Sequence, residues 1–410
     1  MKISCFHLMP YRDLEDDFDK KYHSAWFDLP YHDVADANKI TQYYNWTLDE
    51  LIYAAEKGFD GVCTNEHHQN AYGFMVNPNM MGSVLARATK DLNTAIIQMG
   101  ETAVFLNPPV RVAEEYAMLD SISGGRLVAG FPVGLGGDFA YSYGFAPMEQ
   151  RERYREAHDL IKKAWTSRER FAWNGKYYQL PWVNIWPRPN QEPTPPIWVP
   201  GNASPSTWDF VTANNYCYCY LTYFGAKGAH HIVDGYWNKV EEAGLDDNPY
   251  RMGFLLPVGV SESDESAQEE YGRHIEYFYH KLLHMPLQYL IPPGHMTYSS
   301  LKHMLVNKPF PAYDEFNKMS FPEFEENEYL VTGSAATVVE KITRIVKRLR
   351  VGNLMILPQF GSMSHEQTKT NIDRIAADVL PHLRGIWDDE GYVNHWWPEK
   401  AQRARHLEAA

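Results

Sequence analysis

Eight short apolar runs punctuate the chain, at residues 3–8, 61–65, 94–106, 126–133, 197–201, 216–223, 252–260 and 352–360. Most are shorter than a helix needs and rich in Ile, Val, Leu, Phe and Tyr, so they read as strands buried on both faces. Between them lie stretches of helical period. Thr47 with Glu50 three residues on marks one helix start and Gly58 its end, Pro78 suits another first turn, and the stripe Ala113, Tyr116, Ala117 and Leu119 runs from Pro109 to Ser123-Gly124-Gly125. Strand and helix in alternation predict an α/β fold, a (β/α)8 TIM barrel, whose chemistry gathers at the C-terminal ends of the strands.

The spacing stretches in three places, which predicts insertions after strands 1, 4 and 7. Residues 11–46 form a polar, aromatic-rich loop after the first strand. Residues 170–196, rich in Trp, Tyr and Pro, read as an excursion with short strands. Residues 262–330 are too many for one connecting helix and read as an inserted helical lid. One barrel domain over residues 1–390, followed by a tail at 391–410 that frays after Trp397, covers the chain.

Composition narrows the function. The chain has 410 residues, 44% of them hydrophobic, enough to bury a large core. Its net charge of −14 and lack of a basic cluster argue against nucleic acid. No apolar run reaches the roughly 18 residues of a membrane span, and Met1-Lys2-Ile3-Ser4-Cys5-Phe6 does not open a signal peptide, so a cytoplasmic protein without a membrane partner is expected. Cys5, Cys63, Cys217 and Cys219 are scattered through strand-like runs as reduced core residues. Alternation puts the sulfurs of Cys217 and Cys219 on one strand face, which packing explains without a metal or redox pair. His280, His284, His295 and His303 lack a ligand spacing, and no metal is expected.

The second strand carries the chemistry. Gly61-Val62-Cys63-Thr64-Asn65 runs into Glu66-His67-His68-Gln69, an acid and two histidines where a barrel opens its pocket. Histidine is the side chain best suited to moving protons near neutral pH. A core histidine bonded to backbone is the alternative for His67. Gly134-Leu135-Gly136-Gly137 has the wrong spacing for a dinucleotide fingerprint and instead lets a loop pass close to a ligand. Phe6, Met9, Trp198, Tyr220 and Tyr223 lie at strand ends, where they form either an apolar pocket wall or barrel core.

Further motifs follow in order: Asn77-Pro78, Asn107-Pro108-Pro109-Val110-Arg111, Leu119-Asp120-Ser121-Ile122-Ser123-Gly124-Gly125-Arg126, Ala129-Gly130-Phe131, Thr332-Gly333-Ser334 and Pro381-His382-Leu383. With Glu66-His67-His68 they resemble the bacterial luciferase-like flavin-dependent monooxygenases over nearly the whole chain. The resemblance implies an enzyme that takes reduced FMN (FMNH2) from a separate NAD(P)H:flavin reductase. With O2 as co-substrate it would oxygenate a small organic substrate through a C4a-peroxyflavin, commonly as a homodimer. It makes His67 the catalytic histidine, with Glu66 and His68 orienting it or contacting the flavin.

For the cofactor phosphate, the resemblance implies Arg151 and the loop after the fifth strand, Asn202, Ala203, Ser204 and Ser206. A bulge at Gly100-Glu101, often a non-proline cis peptide in relatives, would back the isoalloxazine. Relatives often carry an arginine where Val133 stands, so one phosphate contact is missing. Related barrels use the deazaflavin F420 for hydride transfer, and some relatives only bind flavin; these are the alternatives. A metal-dependent hydrolase ranks last because the His-x-His strand spacing is absent.

Overall fold

A computed structural model of the chain describes residues 1–102, 108–134, 136–221, 225–286, 289, 291–307 and 318–402. Its strands are β1 (Lys2–Phe6), β2 (Gly61–Thr64), β3 (Ala95–Gln98), β4 (Leu127–Gly130), β5 (Phe171–Asn174), β6 (Gln179–Val183), β7 (Ile197–Gly201), β8 (Cys217–Tyr220), β9 (Met252–Val260), β10 (Val331–Gly333) and β11 (Asn353–Leu357). Eight of them pair in parallel in the order β1-β2-β3-β4-β7-β8-β9-β11, and β11 pairs back onto β1 to close the barrel. β5 and β6 form an antiparallel hairpin in the excursion after β4, and β10 lies outside β9.

Alternation along each strand makes two cores. Ile3, Cys5, Val62, Ile96, Leu127 and Tyr218 face the surrounding helices, whereas Phe6, Cys63, Ile97, Val128, Cys217 and Cys219 fill the barrel. All four cysteines are buried, and the sulfurs of Cys217 and Cys219 lie 4.0 Å apart on the inner face, as alternation requires. The barrel floor is sealed by the chain's end. Trp396 and Trp397 are buried there, with the Trp396 carbonyl accepting from Trp198 Nε1 at 2.8 Å, and Ala401 packs beneath them.

Several boundaries differ from the sequence reading. β3 stops at Gln98, because the chain turns aside at Gly100; residues 103–107 of the expected strand lie outside the described residues. The helix after β1 is Ala37–Glu56, ten residues longer at its start than Thr47 implied, and Asp36 caps it by accepting from the Asn38 N–H. Thr47 and Glu50 are instead buried inside it. After β9 come a helix Ala267–Tyr277, a π-helical turn Phe278–Leu282, and helices Tyr298–Asn307 and Phe321–Glu326. Among the described residues no helix is long and apolar enough to cross a membrane.

Candidate active site

Glu66 leaves the end of β2 and is fixed from β3. Gly100 lies so close that a Cβ there would stand 2.5 Å from Glu66 Cβ and 2.7 Å from its backbone nitrogen. The next residue, Glu101, takes φ +75°, and the turn aims two amides at one oxygen: the N–H groups of Glu101 and Thr102 donate to Glu66 Oε2 at 3.0 and 2.8 Å. Positive φ is costly for a side chain with a Cβ and persists where surrounding contacts over-determine it. Among the described residues the cis peptide bonds precede Pro187 and Pro193. The cis bond implied at Gly100-Glu101 is therefore absent, and the backbone turns through φ instead.

The two histidines have different environments. His68 is engaged at both nitrogens, with Nε2 3.0 Å from Glu66 Oε1 and Nδ1 3.1 Å from the Tyr143 hydroxyl. His67 has Nδ1 2.8 Å from Asp138 Oδ2, and its ring meets Trp26 and Tyr72 nearly edge to face at 5.3 and 4.9 Å between centroids. Asp138 and Tyr143 both come from the helix Gly136–Tyr143, which the glycine-rich run opens. A Cβ on Gly137 would lie 1.7 Å from the Tyr289 carbonyl oxygen, so the glycine lets the segment after β9 press onto this helix.

Glu101 does not offer its carboxylate to the site. Its side chain turns to Asn79, whose Nδ2 donates to Glu101 Oε2 at 2.9 Å and to Glu115 Oε2 at 3.2 Å. Burial, reinforced by Glu66 and Glu115 and opposed by Arg111, pushes its carboxyl well above the usual range. Its backbone N–H, not its carboxylate, serves Glu66.

A second cluster forms where the helix Gln150–Thr166 meets the start of the helix Pro205–Asn214. Arg151 donates through Nη1 to Ser206 Oγ at 3.2 Å and through Nη2 to Ser204 Oγ at 3.5 Å, and through Nε to the His295 carbonyl at 3.3 Å. Ser204 stands at the N-cap position but makes no capping bond; its hydroxyl lies 3.0 Å from Ser206 Oγ and 2.9 Å from Ser300 Oγ. The Asn202 carboxamide oxygen is buried with no partner among the described residues, and Ala203 is buried beside it. Burial, with Arg155 nearby, lowers the Arg151 guanidinium from its usual value, and no carboxylate pairs with it among the described residues. Val133 lines the same small recess as Arg151, Arg155 and Ser206.

Among the residues read as either pocket wall or barrel core, Trp198 and Phe6 lie in the barrel core, Tyr220 faces the helices, and Met9 lies in a small separate cluster. Trp198 lies in the barrel floor against Trp396, at the end opposite the histidines, because it starts β7 instead of ending it. Tyr220 faces outward into the core between strands and helices, its hydroxyl buried without a partner among the described residues. Met9 packs with Met75 and Met81 in a small cluster of its own. Phe6 does face inward, and Tyr223 lies outside the described residues.

Sequence reasoning missed Asp138 and Tyr143, whose only signal was the glycine run before them, and Asn70, which stands two residues past His68. It also missed a buried charge cluster behind β1. Glu50, read as a helix-cap residue, accepts from Arg12 Nη2 at 3.0 Å and lies 2.6 Å from His7 Nε2 and 3.0 Å from His365 Nδ1. Burial alone would raise its carboxyl, but Arg12 with the two histidines holds it well below the usual range. Such a cluster fixes the first β-α loop against the helix after β11.

A family model described as luciferase-like monooxygenase matches residues 25–351, and the chain belongs to that family. It is 29% identical over 247 residues to the oxygenase component of a flavin-dependent trigonelline monooxygenase of Acinetobacter baylyi. That match covers 57% of this chain and 64% of the relative, so it spans less than two thirds of that protein's length. Among solved structures, the oxygenating constituent of 3,6-diketocamphane monooxygenase from Pseudomonas putida, in complex with FMN, has a TM-score of 0.69 at 19% identity, covering 93% of this chain and 98% of that one. An F420-dependent secondary alcohol dehydrogenase has a TM-score of 0.62 at 17% identity, with 93% and 99% covered. Both likenesses show the barrel fold.

Proposed function

We propose that the protein is the oxygenase half of a cytoplasmic two-component monooxygenase that binds reduced FMN, delivered by a separate NAD(P)H:flavin reductase, and oxygenates a small organic substrate. The observation that supports FMN is Arg151, a largely buried cation with no carboxylate partner among the described residues, gathered with Ser204 and Ser206 hydroxyls at a helix N-terminus. Such a cradle suits a phosphate, since backbone N–H groups, hydroxyls and a guanidinium all donate to it. Asn202, with its unpartnered buried oxygen, lies beside it.

When bound, reduced FMN supplies the electrons that divide O2, one oxygen atom entering the substrate and the other leaving as water. The chain's own residues hold and shield the site. Glu66, clamped by two amides, orients His68; His67 keeps Nε2 for a proton; Trp26 and Tyr72 wall off water around it. Phe6 contributes apolar surface inside the barrel mouth. The segment within 262–330 is the lid: His295 and Ser300 close over Arg151 and Ser204, and Tyr289 closes over Gly137.

A homodimer would use the neighbouring helices Pro78–Ala88 and Val110–Ser123, where Met80 (69% exposed), Val84, Met118 and Ile122 make an apolar face open to solvent. The function is tested by titrating purified protein with riboflavin, FMN and F420, oxidised and reduced, under nitrogen. FMN should bind more tightly than riboflavin, and Arg151→Ala should erase that difference. Preference for F420 would turn the reading to hydride transfer, and tight flavin binding without substrate-dependent O2 consumption to a storage role.

A further inference from the structure

The two histidines at the end of β2 are chemically distinct, and the helix Gly136–Tyr143 makes them so. His68 has a partner at each ring nitrogen, the Glu66 carboxylate and the Tyr143 hydroxyl. His67 has one at Nδ1, and among the described residues nothing bonds its Nε2. Asp138 is 1% exposed, and a carboxylate only accepts, so the hydrogen in the 2.8 Å contact belongs to His67 Nδ1. In the neutral ring the Nε2 lone pair is then the one that can take a proton.

The other carboxylate oxygen is held independently. Asp138 Oδ1 faces the Asn70 amide nitrogen at 3.2 Å and the His68 N–H at 3.4 Å. Asn70 is fixed in turn: its Nδ2 also donates to the His68 carbonyl at 2.8 Å, and its Oδ1 accepts from the Gly73 N–H at 3.0 Å. The carboxylate therefore cannot rotate away from His67 without breaking two bonds to neutral donors. Edge-to-face contacts with Trp26 and Tyr72 hold the imidazole in the same orientation.

We propose that Asp138 is the positioning residue for His67, locking it as the Nδ1–H tautomer so that Nε2 receives a proton from the reacting group, while His68 is structural. This rests on the monooxygenase reading for which reaction is served, but not for the tautomer itself. The step balances simply: a proton moves to Nε2, the ring becomes imidazolium, Asp138 offsets the charge, and the proton is returned from the same nitrogen.

The test is 15N NMR of the full-length protein with labelled histidine, in a pH series up to 9, with His67 assigned by loss of its signals in His67→Gln. The expected wild-type spectrum shows His67 protonated at Nδ1 and bare at Nε2. In the isosteric Asp138→Asn, the two neutral donors keep the carbonyl oxygen and leave the amide nitrogen facing His67. The tautomer should therefore flip to Nε2–H, the wrong form for a base. A wild-type ring protonated at Nε2 overturns the proposal. So does a folded Asp138→Asn with unchanged His67 signals. These readouts need no flavin, so failure of FMN binding would sink the monooxygenase reading while leaving the tautomer result standing.

Discussion

At the residue scale, the site is built from close approaches that only some side chains permit. Gly100 presses on Glu66, and Gly100→Ala puts its Cβ 2.5 Å from Glu66 Cβ with backbone close behind. The expected cost is about 1–3 kcal/mol, read as a lowered denaturant midpoint, together with displacement of Glu66 from its two amides. Glu101 offers a test with a sign. Its carboxyl value is raised in the folded chain, so its stabilising contribution is complete below the unfolded carboxyl range and is lost as pH rises through the folded value. Glu101→Gln keeps the Asn79 bond and removes that loss. Its melting temperature should exceed the wild type's at pH 8, with the gap closing toward pH 4. Glu66-His67-His68 was legible as an acid and two histidines at a strand end, and Arg151 only through the family resemblance. Asp138 and Ser300 were not legible, because each reaches its partner from a segment far along the chain, and Asn70, beside the motif, gave no sign that its amide meets Asp138.

At the scale of elements, β7 and β9 have the bounds read from sequence, and the helix read from Pro78 starts there. Alternation and a first-turn proline are local properties, so they survive without tertiary information. Where local signals competed, tertiary packing won. Thr47 and Glu50 resemble a helix start, yet Glu50 is consumed by Arg12, His7 and His365, and the helix runs back to Ala37. Facing direction was the other weak point: Tyr220 is a strand residue that points outward, and Trp198 is barrel core at the end opposite the histidines. The lid has its own signature in pH. Burial, with Arg151 beside it, lowers His295 from 6.5 to about 4, and burial, with Arg273, brings His274 to about 4. For a base with a depressed folded value the unfolded chain binds more protons between the two values. Stability is thus complete above about pH 6.5 and falls as pH drops toward 4, by on the order of 1 kcal/mol per pH unit at most for each group. A thermal-unfolding series should show this slope, and His295→Asn and His274→Gln should each flatten it.

For the whole molecule, the closed barrel places the histidines at one end and seals the other with Trp198, Trp396 and Trp397. The histidines face the end that the segment after β9 overhangs, through Tyr289 against Gly137. The eightfold alternation made this architecture legible, since it depends on repeated patterns. The apolar face of Met80, Val84, Met118 and Ile122 was not legible, because sequence does not tell an exposed helix stripe from a buried one. A Met80→Glu, Met118→Glu double variant should sediment as a monomer where the wild type sediments as a dimer; a wild-type monomer would discard that interface. Reduced-flavin oxygenation itself is decided by anaerobic titration with FMNH2 followed by admission of O2 and a panel of candidate substrates. Saturable binding of FMNH2 and substrate-dependent oxygen incorporation, lost in His67→Ala while binding persists, is the expected result. Failure to bind FMNH2, or turnover indifferent to His67, would contradict it.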